Sequence, residues 1–239
     1  MGEDHGDSGG VGRGDAFGVA LLPVCAALTL TTGRALYILA ESPQRLPALP
    51  VFACVAGMAV WALVWCFMPP MTRTYVLGHE LTHALWTMLF GGRASGLHVG
   101  EEGGSVRVSK NNVWVTLAPY FFPLYMVAVA LLWLLLAWLF PAVRPYYPVA
   151  LFWIGLAWAF HLTFTVKFLS WRQPDILEHG RLFSYTLIYA LNLLTVAAAL
   201  TAVSSWTLRE AAADFWGHLS DFARAAAHLL AWARERWAP

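Results

Sequence analysis

The sequence predicts an all-α polytopic membrane protein. It should have about six transmembrane helices, a small β-hairpin after the third, and a C-terminal amphipathic helix. Three observations carry that reading. Of 239 residues, 59% are hydrophobic and 12% charged, about half the charge of an ordinary soluble domain. Apolar runs long enough to cross about 30 Å of hydrocarbon recur along the chain, separated by Pro- and Gly-containing breaks. The last segment then changes character, its apolar residues recurring at alternating three- and four-residue steps between charges.

Taken in order, residues 1–15, MGEDHGDSGGVGRGD, are Gly-rich and acidic, with no large apolar side chain beyond the initiating Met and Val11, and are expected to be a disordered tail. The first charges are acidic, unlike the basic start of a secretory signal, so the following apolar run is expected to be retained. Spans are expected at residues 16–40, 49–68, 74–90, 113–140, 147–170 and 182–204, giving a transmembrane domain over 16–204 with its core at 71–204. Pro69-Pro70, Gly91-Gly92 and the stretch PAVRPYYP separate them. Arg34, inside the first run, is expected to snorkel towards a membrane surface.

Between the third and fourth runs, SGLHV and SVRVS alternate around Glu101-Glu102-Gly103-Gly104, the pattern of a β-hairpin. Six crossings put both termini on one face. The other face then collects Arg45, Arg93, Arg107, Lys110, Arg172 and Arg181, which places the hairpin and the 171–181 loop in the cytoplasm. The expected location is a multi-pass one, in a bacterial inner membrane. In residues 205–239, Leu208, Ala212, Phe215, Leu219, Phe222, Ala226, Leu229 and Ala233 form the apolar stripe, with Asp214, His218, Asp221 and Arg224 off it. That helix is expected to lie on the lipid bilayer or dock on its own domain, or to serve as a contact for a partner or a homo-oligomer. Cys25, Cys54 and Cys66 sit in apolar runs without a CxxC pair and read as buried thiols. A net charge of +1 argues against nucleic acid as a partner.

One stretch breaks the apolar pattern. GHELTHALW contains His79-Glu80-x-x-His83 within the third expected span. Residues four apart share a helix face, so both imidazoles can reach one ion, and Glu80 can act as general base on a water there. With 8 His in the chain, such a motif arises by chance in roughly one shuffled sequence in a hundred. Ionisable groups in a span are costly unless paired or functional, so three within five residues point to a metal site, zinc by its donor types. A catalytic zinc takes a third protein ligand. Asp175, beside Pro174 at the opening of the last span, and His161, within the fifth, are both candidates. His98, Glu178 and His179 read as exposed-loop residues. A carboxylate would cancel one of the ion's two charges where a third imidazole would cancel none, which favours Asp175 in an apolar interior.

A HExxH within a hydrophobic segment, a Gly-rich hairpin after it, two further spans and a Pro-adjacent Asp resemble the site-2 protease family of intramembrane zinc metalloproteases. The resemblance covers about residues 71 to 204. It implies that His79, His83 and Asp175 bind Zn2+, that Glu80 is the catalytic acid/base, and that the substrate is a membrane protein. It also implies that LAPYFFP corresponds to the Pro-containing start of the helix after the hairpin. The chain differs in carrying Pro174-Asp175-Ile176 where that family shows Leu-Asp-Gly, and in having no PDZ-like insertion. Two other classes fit parts of the sequence. One is a metal-binding membrane scaffold or regulator that cleaves nothing, which leaves Glu80 without a use. The other is a transporter with an intramembrane His/Asp relay, for which no inverted repeat is evident.

Overall fold

The computed structural model describes residues 8–41, 48–100, 103–170, 173–204 and 206–237. Its helices, in chain order, are α1 (Ser8–Glu41), α2 (Ala48–Phe67), α3 (Thr72–Leu89), α4 (Val113–Phe121), α5 (Leu124–Leu139), α6 (Tyr147–Leu169), α7 (Pro174–Glu178), α8 (Arg181–Val203) and α9 (Leu208–Trp237). A 3-10 turn, Pro141–Tyr146, joins α5 to α6. The strands β1 (Ala94–Val99) and β2 (Gly104–Val108) form an antiparallel hairpin between α3 and α4. The hairpin tip Glu101-Glu102, together with Arg45, Arg172 and residues 1–7, lies outside the described residues.

The chain divides into two compact units, one built on α1, α8 and α9, the other running from α2 to α7. In the first, α1 begins at Ser8, inside the stretch expected to be a disordered tail. Asp15 is placed by contact, its Oδ1 accepting the Leu182 backbone N–H at 3.0 Å and so capping the first turn of α8. Arg34 does more than snorkel, since its guanidinium pairs with Asp214 Oδ1 at 2.8 Å. The docked face of α9 therefore differs from the expected stripe. Asp214 and His218 lie on it with Ala211, Phe215 and Leu219, while Leu208 and Ala212 are exposed. An ion pair with α1 rotates the helix away from the purely apolar solution.

In the second unit, α2 and α6 pack backbone to backbone. A Cβ on Gly57 would lie 1.9 Å from the Phe152 carbonyl oxygen, and one on Gly155 would lie 2.1 Å from that of Cys54. Small residues at such crossings are what bring helices together where hydrocarbon gives no hydrophobic drive. One to two turns further along, the Trp61 indole N–H donates to Thr163 Oγ1 at 2.9 Å, and Trp61 meets Phe160 edge-on at 4.9 Å. The matched progress of contacts makes α2 and α6 parallel. Tyr75, in the first turn of α3, stacks on Phe164 and Phe168 with centroids 4.8 and 4.6 Å away. That aromatic cluster is the anchor of the HExxH helix.

Among the described residues, four helical stretches are long and apolar enough to cross a membrane: Gly14–Glu41, Ala48–Phe67, Pro141–Leu169 and Arg181–Ala202. A fifth is obtained if α4 and α5, bent by 76°, are counted as one. The six expected crossings are thus not confirmed, because α3 carries too many polar groups to be among the candidates. Helix direction agrees. For α6 to run parallel to α2, the crossings that follow α2 must be even in number, and α5 and α6 already supply two. The bend has a local cause: Pro123 offers no N–H and holds Phe122 extended, at φ −100° and ψ 104°.

Gly57→Val should cost about 3 kcal/mol by forcing α2 from α6, read as a lowered thermal midpoint in detergent. In Gly33→Ala nothing lies within 4 Å of the new Cβ, so the midpoint should hold or rise, by about 1 kcal/mol at most.

Candidate metal centre

The GHELTHALW stretch forms the middle of α3. Gly78 is needed there, because a Cβ would strike the Tyr125 ring at 2.7 Å. Tyr125 crosses at that point to donate to the Thr74 carbonyl at 2.6 Å. With the helix so seated, His79 and His83 project from one face with their Nε2 atoms 3.2 Å apart.

The next layer comes from α4. Asn112 caps it, its Oδ1 accepting from Trp114 N at 2.9 Å and Val115 N at 3.0 Å. The carbonyl of Val115 would ordinarily accept the N–H four residues on, but that residue is Pro119. Left without its helical donor, this carbonyl accepts His83 Nδ1–H at 2.8 Å. A carbonyl cannot donate, so Nδ1 carries a proton, and in the neutral ring the lone pair is then on Nε2, beside His79. This is the outer hydrogen bond that orients metal-binding histidines.

Asp175, on α7, closes the group. Its Oδ2 lies 3.4 Å from His79 Nε2 and 3.6 Å from His83 Nε2. Two imidazole nitrogens and a carboxylate oxygen thus form a triangle with edges of 3.2, 3.4 and 3.6 Å. Tetrahedral zinc with bonds of about 2.0–2.1 Å needs ligand edges of roughly 3.3 Å. The donor set and its spacing fit a zinc ion. Burial works against the charge on Asp175, but the two imidazoles, when protonated, outweigh it and hold the carboxyl well below the usual carboxylate range. Tyr120 of α4, fully buried, donates to the same Oδ2 at 3.0 Å and sets its ring edge-on to His79.

Glu80 is buried and lines, with His79, His83 and Asp175, a cleft of about 300 Å³. The opposite wall of that cleft is β2, with Asn111, Thr116 and Gln173 completing its rim. Gly104 at the start of β2 lies against the acid, since a Cβ there would come 2.9 Å from Glu80 Cγ.

The other sequence candidates are placed elsewhere. His161 is buried and shares with His79 a cavity of about 20 Å³, outside the ligand triangle. His98 lies on β1, opposite Ser105. Glu178 is a clamp: Asn111 Nδ2 donates to both its carboxylate oxygens, at 3.0 and 3.3 Å, tying α7 to the loop before α4. His179 sits beside Glu178 at 4.0 Å. Asp175 does not open the last span as expected. It occupies a separate one-turn helix, and Gly180, at φ 91°, turns the chain before α8 begins. Sequence reasoning missed Tyr120, Val115 and Asn111. Asn112 before an apolar run and Pro119 inside it were the available signals.

No family model matches the chain, and no curated protein or solved structure does so.

Metal titration of the purified protein should show Asp175→Asn weakened for zinc by about a hundredfold or more, while His161→Ala binds within about tenfold of the parent. Pro119→Ala gives Val115 a competing helical donor. It should weaken zinc binding by roughly tenfold even though Ala is the better helix former. Equal affinity of Pro119→Ala and the parent would sink the account of how His83 is oriented.

Proposed function

We propose that the protein is an intramembrane zinc metalloprotease that hydrolyses peptide bonds of membrane-protein substrates within or near the bilayer. The observation that carries this reading is the convergence of His79, His83 and Asp175 on one point, in a cleft that Glu80 also lines. It is the reaction that the resemblance to site-2 proteases implies.

When bound, zinc would supply Lewis acidity, polarising the scissile carbonyl and acidifying a water. His79, His83 and Asp175 would hold the ion. Glu80 takes the proton of the attacking water as its oxygen bonds to the carbonyl carbon. It then delivers that proton to the amine nitrogen as the C–N bond breaks. Tyr120 holds Asp175 in place through its hydroxyl. A helical substrate hides its peptide bonds in its own hydrogen bonds and must be extended to react. The β2 wall of the cleft is suited to receive it by strand addition.

A metal-binding scaffold would use the same ligands but not the acid, and one variant separates the two readings. Glu80→Gln should keep the parent's zinc content and lower hydrolysis of a membrane-protein substrate by about a hundredfold to ten-thousandfold. Stripping the metal with a chelator should abolish cleavage in the parent. If parent and Glu80→Gln are indistinguishable against a panel of membrane substrates, the scaffold reading replaces this one.

A further inference from the structure

We propose that the second half of α9, residues 222–237, binds an anionic lipid surface. The two halves of this helix meet different surroundings. In the first half, Ala211 packs with Ala35 and Trp206, and Phe215 packs on the cluster of Cys25, Leu28 and Ala190. Asp214 is held by Arg34. In the second half the same stripe continues through Ala226, Leu229, Leu230, Ala233 and Trp237, but it runs largely uncovered by the described residues. Leu229, Leu230 and Trp237 are 66, 64 and 79% exposed.

Charge changes sign at the same place. Residues 208–222 carry Glu210, Asp214 and Asp221 against Arg209, whereas residues 223–237 carry Arg224, Arg234 and Arg236 against Glu235. At 100° per residue, Arg234 and Arg236 fall at the two borders of the apolar stripe, with Arg224 and Glu235 on the far side. Arg236 also lies over the Trp232 ring, 5.7 Å from its centroid. A stripe of Leu and Trp bordered by Arg side chains that can reach outward is the layout of a helix lying in the headgroup region.

The occupant follows from charge and setting. A second copy of this face would bring two net-positive surfaces together. An anionic bilayer matches both the stripe and its borders, and the same unit contains α1 and α8, each long and apolar enough to cross one.

The test is hydrogen exchange on the full chain in bilayer discs holding one copy each. The discs are made of phosphatidylcholine alone or of an equimolar mixture with phosphatidylglycerol. Amides of residues 223–237 should exchange about tenfold more slowly in the anionic discs, and those of 208–222 equally in both. Arg234→Glu with Arg236→Glu should remove the difference between lipids. Equal exchange in the two compositions overturns the proposal. So does slowing that appears only when two copies share a disc, which would make a second chain the occupant. The readout is independent of metal and of hydrolysis.

Discussion

The hydrogen bond from His83 Nδ1 to the carbonyl of Val115 is the constraint on which the site depends. A neutral hydrogen bond adds only about 1 kcal/mol net to stability, so its importance is geometric. It sets the tautomer of His83, joins α3 to α4 across the hairpin, and brings Tyr120 on the next turn of α4 over Asp175. The bond exists because Pro119 withholds a donor. A residue usually counted as a flaw in a helix here frees an acceptor for the site.

Several polar groups around the hairpin and α1 obey the same economy. Thr87 Oγ1 donates to the Lys110 carbonyl and Lys110 Nζ to that of Phe90, so the hairpin base is pinned to the end of α3. Asn111 accepts from Thr116 while donating to Glu178. Arg34 has Asp214. His79 differs from His83: its Nδ1 is buried without a hydrogen-bond partner among the described residues, next to a cavity of about 20 Å³, a volume that suits one water. The two histidines of the HExxH motif are therefore held unequally, His83 by backbone and His79 by packing against Tyr75 and Tyr120.

How much was legible from the sequence varied with the range of the signal. HExxH spacing and helix periodicity are local, so His79, Glu80 and His83 could be placed on one helix. The alternating hairpin strands could be read for the same reason. Asp175 needed a tertiary judgement, and electrostatics supported the carboxylate over His161. Failures came where a distant residue decided the outcome. Arg34 and Asp214 each looked like an isolated charge, and only their pairing shows why α9 turns the face it does. Six crossings are not confirmed, because the polar groups of α3 leave it less apolar than the helices that could cross a membrane. The orientation of α2 and α6, set by Gly57 and Gly155, cannot be seen along one strand of sequence.

The sharp bend before α5 has a consequence for the bilayer itself. With its companion α4 turned aside by 76°, α5 alone has 16 residues, about 24 Å of helix, against roughly 30 Å of hydrocarbon. Were α5 to cross on its own, lipid beside so short an apolar cylinder would have to thin to meet it. A peptide near α5 would find less hydrocarbon around it, and the cost of exposing its backbone amides would fall with that depth.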